Sequence, residues 1–157
     1  MKTLVVFYSR NGTTKKVAED ISKRLRADID EIIDLKNRKG VIGWLTSGRD
    51  AMKKNLTQIK ETKDPKKYDL VIIGSPVWAG SVSPGVRTFL EKNKGNFKKV
   101  IFFCTTGGGN PGKTFIQMSE IIKKKPIKTI FFKTSEVKKE PYFEELIKFL
   151  VDIRNKK

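Results

Sequence analysis

Apolar residues fall into two alternating kinds of stretch, short continuous runs and longer segments where they recur every three or four positions. The runs Leu4–Tyr8 (LVVFY), Asp69–Gly74 (DLVIIG), Val100–Cys104 (VIFFC) and Ile127–Phe132 (IKTIFF) read as strands buried in a parallel sheet. Ile29–Leu35 (IDEIIDL) reads as a more exposed strand with its acids toward water. Between the runs the spacing is helical. Val17, Ile21 and Leu25 follow the first strand, and Val86–Leu90 lie in a helix that Pro84 opens. Phe115, Met118, Ile121 and Ile122 mark a helix that Pro126 ends, and Tyr142–Ile153 is a closing amphipathic helix. The segment Lys36–Lys60 is irregular. A glycine-punctuated apolar patch at Val41, Ile42, Trp44 and Leu45 precedes a helix predicted from Ser47, with Ala51, Met52 and Leu56 on one side. Glu61–Lys67 is a surface turn.

Five strands alternating with helices predict a three-layer α/β sandwich, a parallel sheet with right-handed crossovers and helices on both faces, as one domain over residues 1–157. Ligands of such sheets bind beyond the carboxyl ends of the strands, near the switch in strand order. That rule selects the loops 9–14, 75–85 and 105–114. None of them holds an Asp or Glu, although 17 of the 157 residues are acidic.

The first loop carries the plainest chemistry. Ser9-Arg10-Asn11-Gly12-Thr13-Thr14 stands between a buried strand and a helix, with no carboxylate before Glu19. The first turn of a helix presents unpaired N–H groups and partial positive charge. Ser9, Thr13 and Thr14 add hydroxyls, Asn11 an amide, and Gly12 a close backbone approach. A phosphate suits this cradle; a simple capped turn is the plainer alternative.

Composition narrows the chemistry. The absence of histidine removes His-based metal sites, Ser-His and Cys-His nucleophile pairs, and the usual general base near neutral pH. A single Cys104 excludes an internal disulfide and reads as buried packing. With no signal peptide and no apolar run of spanning length, the expected location is cytoplasmic. The net charge is +17, from 34 Lys and Arg. Such a balance points to nucleic acid, an acidic membrane surface or an acidic protein. The basic residues are mostly Lys and run from Lys2 to Lys157 without an Arg–aromatic cluster, so no specific nucleic-acid partner is expected. A lysine-rich source organism explains the same balance.

The three loops together resemble those of flavodoxins and flavodoxin-like FMN proteins. S-R-N-G-T-T after an apolar strand is similar to the family's FMN phosphate loop. G-S-P-V-W-A-G is similar to the segment beside the flavin ring, and T-T-G-G-G to the second flanking loop. The resemblance implies a sheet order of 2-1-3-4-5 with FMN at the switch between strands 1 and 3. Ser9, Arg10, Asn11, Gly12, Thr13 and Thr14 would then hold the phosphate. Ser75, Pro76, Val77, Trp78, Ala79 and Gly80 would line one side of the isoalloxazine, with Thr105, Thr106, Gly107, Gly108 and Gly109 on the other. No residue is assigned a catalytic or metal-binding role.

The implied function is electron transfer, one electron at a time, between redox partner proteins, acidic ones by charge complementarity. An FMN-dependent NAD(P)H:quinone reductase on the same fold is the alternative, and a flavin-free binding module a third. Two departures stand out. Familiar flavodoxins are acidic whereas this chain is basic, and TTGGG offers no second aromatic unless Trp44 supplies one. Gly107–Thr114 also fits the nucleotide-binding pattern G-x-x-x-x-G-K-[ST] between a strand and a helix. No Mg²⁺-supporting Asp ends a neighbouring strand, and only 43 residues follow Thr114, which argues against an ATPase.

Overall fold

The apolar runs assemble into one sheet in the computed structural model, which describes residues 1–155. In chain order the elements are β1 (Thr3–Phe7), α1 (Thr13–Leu25), β2 (Asp28–Glu31), α2 (Gly40–Met52), a 3₁₀ turn (Pro65–Lys67), β3 (Leu70–Trp78), β4 (Ser81–Val82), α3 (Pro84–Asn93), β5 (Lys99–Thr106), α4 (Thr114–Ile122), β6 (Thr129–Lys133) and α5 (Glu140–Asn155). The strand order is β2-β1-β3-β5-β6, all parallel, with β4 antiparallel to β3. Setting the short β4 aside, this is the 2-1-3-4-5 order.

Successive residues of each central strand feed opposite layers. Leu4, Val6, Val71, Ile73 and Phe102 pack with Phe89 of α3 and Met118 of α4. Val5, Phe7, Ile72, Ile101 and Phe103 pack with α1 and α5 through Val17, Ile21, Leu146 and Phe149. Burying each such side chain stabilises the fold by about 1.5–3 kcal/mol. Gly74 belongs to this packing, since a Cβ there would lie 2.0 Å from the Phe103 ring.

Four expectations need correction. The second strand covers only Asp28–Glu31, not Ile29–Leu35, and Asp34 instead forms an isolated bridge with Ile59. The helix expected from Ser47 begins at Gly40 and ends at Met52, leaving Leu56 outside. Its start carries no side-chain cap; a buried Gly43 instead rests on the Arg38 backbone, where a Cβ would come within 2.2 Å. The stretch 75–85 is not one loop. β3 continues to Trp78, turns through Ala79 and Gly80 at φ 48° and 71°, and returns as β4. Two positive φ values suit a tight two-residue hairpin. The last strand begins at Thr129, not Ile127.

Candidate functional site

The carboxyl ends of β1, β3 and β5 open into one cleft of about 930 Å³. Ser9, Arg10, Asn11, Thr13 and Thr14 enter its wall from the first loop, Pro76 to Gly80 from the hairpin, and Thr105 to Gly109 from the third loop. Gly12 and Ser75 are not part of the lining. Gly12 stands at φ 90° as the residue preceding α1, its N–H donating to Ser9 Oγ at 3.0 Å. Ser75 is fully buried behind the wall, where its hydroxyl lies 3.0 Å from Ser83 Oγ and accepts from Ser83 N–H.

The three loops are held to one another directly. Thr14 and Thr105 share a buried hydroxyl–hydroxyl hydrogen bond of 2.7 Å. Lys113 N–H donates to the Gly80 carbonyl at 2.7 Å, pinning the third loop on the hairpin. Gly112, at φ 56°, makes that approach possible: a Cβ there would lie 2.6 Å from Gly80 O. These contacts also dispose of the nucleotide-loop pattern. Thr114 is wholly buried and Lys113 N–H is bonded to the hairpin, so the segment does not form an open phosphate cradle.

Gly107 and Gly109 behave differently. A Cβ at either would meet no protein atom within 4 Å, and neither sits at positive φ. The fold does not require glycine at these two positions. Their bareness leaves a stretch of exposed backbone along the cleft that a ligand can approach closely.

Trp78 lines the same cleft from the hairpin. Its ring meets Tyr8 edge-on, with centroids 5.4 Å apart at 89°, and the Arg38 guanidinium lies 5.7 Å from its centre. Burial, reinforced by the nearby Asp34, pushes the Tyr8 phenol up to about 12, so it stays neutral beside the tryptophan.

Arg10 reaches away from the first loop. Its Nε donates to the Arg38 carbonyl at 2.9 Å and its Nη2 to the Gly40 carbonyl at 3.0 Å, fastening the start of α2. Arg38 is in turn buried between two acids, with Nε 2.8 Å from Asp34 and Nη1 2.8 Å from Asp50. Asp50 also accepts from Lys36 at 2.6 Å. Burial alone would raise its pKa, but hydrogen bonds from Lys36, Arg38 and Asn55 prevail and hold the carboxyl well below its usual range.

This network seats α2 as a further wall that sequence reasoning missed. Trp44, Leu45, Ser47, Gly48, Arg49 and Met52 all line the cleft, as does Thr134 after β6. Only Trp44, offered by the sequence as a second aromatic for the site, hinted at it. Among the described residues no Asp, Glu or Cys lines the cleft, and no acid or cysteine cluster could hold a metal ion. Cys104 is buried in β5, and burial pushes its thiol up to about 12.

Comparison with known proteins fits this arrangement. A sequence model of the flavodoxin family matches residues 2–146. The chain belongs to the flavodoxin family. A crystal structure of a Lactobacillus acidophilus flavoprotein in complex with FMN is 30% identical, covers 88% of this flavodoxin-family chain and 97% of its own, and superposes with a TM-score of 0.73. Oxidised flavodoxin 2 from Bacillus cereus shares the fold at 17% identity, with a TM-score of 0.61 and full coverage of both chains. A curated relative, the NAD(P)H dehydrogenase (quinone) of Deinococcus radiodurans, is 28% identical over 96 residues. That match covers 58% of this chain and spans about half (48%) of the relative's length.

Proposed function

We propose that the cleft binds flavin mononucleotide and that the protein carries electrons between redox partners. The observation behind this reading is the bare backbone at Gly107 and Gly109, facing a cleft shared with Trp78 and the start of α1. The flavoprotein from Lactobacillus acidophilus that binds FMN supports it. Ser9, Asn11, Thr13 and the unpaired N–H groups of the first α1 turn would hold the phosphate. Trp78, Pro76, Val77 and the Thr106–Gly109 backbone would hold the ring.

Bound flavin supplies the capacity to accept and release electrons. The chain binds, orients and sets the charge around it. With no carboxylate, imidazole or thiol in the lining, the described residues offer no ordinary side-chain proton shuttle, which suits electron transfer better than acid–base turnover. In the Ala79–Gly80 turn, which closes the β3–β4 ladder, the Gly80 carbonyl accepts from Lys113 N–H while Ala79 stands exposed.

Titration of flavin-free protein with FMN and with riboflavin tests the assignment. Micromolar or tighter binding of FMN, weakened at least tenfold for riboflavin, is expected; no binding of FMN overturns it. A second reading, an NAD(P)H-dependent quinone reductase, is favoured by the Deinococcus radiodurans relative and by the volume of the cleft. Rapid NAD(P)H oxidation with a soluble quinone would select it over the carrier.

A further inference from the structure

Helix α2 is turned inside out. Its buried residues are Gly43, Ser47, Asp50 and Ala51, a small and polar set. Its large apolar residues face outward, with Val41 76%, Ile42 79%, Trp44 63% and Met52 65% exposed. At 100° per residue, Val41, Ile42, Trp44, Leu45 and Met52 share one side of the helix. The helix sits this way because Asp50 is tied to Arg38 and Lys36, and Gly43 to the Arg38 backbone.

A ligand in the cleft does not account for the whole face. Trp44, Leu45 and Met52 border the cleft, but Val41 and Ile42, the most exposed of the set, stand outside it. The face is apolar, contiguous along the helix and covered by no other described element of the chain.

Charge selects the occupant. Between residues 35 and 60 the sole acid is the buried Asp50, whereas Lys39, Arg49, Lys53, Lys54 and Lys60 are exposed. The segment that carries the apolar face thus exposes basic side chains and no acid of its own, on a chain of net charge +17. A second copy would bring two such basic segments together, which disfavours self-association. Size then separates a protein from a bilayer. A 13-residue helix is about 20 Å long and its apolar side about 10 Å wide, some ~200 Å², well under the ~600 Å² per partner that even transient redox encounters reach. A narrow apolar helix face with tryptophan and flanking lysines is instead what lies in the headgroup region of an anionic bilayer.

From this we infer that the protein docks on anionic lipid surfaces through α2, with Val41 and Ile42 entering the acyl boundary and the lysines at the headgroups. The cleft, which shares Trp44, Leu45 and Met52 with that face, then opens at the lipid surface. The inference does not depend on the flavin reading, since docking needs no occupant of the cleft.

Sedimentation with phosphatidylcholine vesicles, with and without one-quarter phosphatidylglycerol, tests it. The protein should pellet with the anionic vesicles and remain in solution with the neutral ones. V41S/I42S should weaken anionic-vesicle binding at least tenfold, while K125S/K139S, outside α2, should keep binding within threefold. Far-UV circular dichroism and FMN titration of V41S/I42S, both expected to match the parent chain, separate loss of docking from loss of fold or of the cleft. Failure to bind anionic vesicles, including the case where only an acidic protein is bound, overturns the inference. So does equal binding by V41S/I42S, which would mark charge attraction without insertion.

Discussion

Thr14 and Thr105, 91 residues apart in sequence, place their buried hydroxyls 2.7 Å from each other and so bind the first cleft loop to the third. The bond joins the opening turn of α1 to the last residues of β5, the two elements that flank the cleft. T14V or T105V leaves the other hydroxyl buried without its partner. Each should destabilise the protein by about 1–3 kcal/mol in urea unfolding, and the double variant by less than the sum.

Glycines of the third loop divide into two functional kinds. G112A forces a Cβ to within 2.6 Å of Gly80 O at a positive φ, so it should lower stability by about 1–3 kcal/mol and displace the hairpin. G107A and G109A meet nothing within 4 Å. They should change stability by less than about 0.5 kcal/mol and yet weaken FMN binding, as measured by flavin fluorescence titration. Unchanged binding in both would remove the reading of that backbone as ligand-facing.

Asp50 makes stability depend on acid. Its carboxyl is held below the usual value in the folded protein, so the unfolded chain takes up the proton first as pH falls. The contribution is complete above about pH 5 and is lost progressively below it. D50N should destabilise by about 3 kcal/mol near neutrality, because Arg38 keeps only Asp34 as a buried partner. Its stability should also fall less steeply between pH 5 and pH 2, followed by urea unfolding at each pH.

Cys104 should be silent to thiol reagents in the native protein. With the thiol fully buried and pushed up to about 12, no reaction with a disulfide reagent is expected at pH 8 until the chain is unfolded.

The basic surroundings carry an expectation for the bound flavin. Arg10 and Arg49 line the cleft and, among the described residues, no acid does, which favours the added negative charge of reduction. The reduction potential should therefore lie above that of acidic flavodoxins and move to more negative values as salt is raised. A tenfold change in the one-electron equilibrium is about 59 mV, a shift that spectroelectrochemistry resolves. A potential as low as in acidic relatives and insensitive to salt would contradict it.

The sequence by itself determined the sheet. Leu4–Phe7, Leu70–Gly74 and Val100–Cys104 are apolar on both faces, and only a central parallel strand buries both. It also determined which loops would meet, because the carboxyl ends of neighbouring parallel strands lie at one edge, where all three loops reach one cleft while Gly12 and Ser75 stand outside its lining. Only the tertiary structure decided where α2 goes and which way it faces. Its apolar periodicity predicts burial of the side that is in fact exposed, since the helix is seated by ion pairs of Arg38 with Asp34 and Asp50. The same holds for Ser75, a motif residue turned behind the wall, and for Arg10, whose guanidinium reaches to the chain before α2. A buried ion pair or a side chain's choice of partner depends on distances between segments far apart in sequence, and no local pattern encodes those distances.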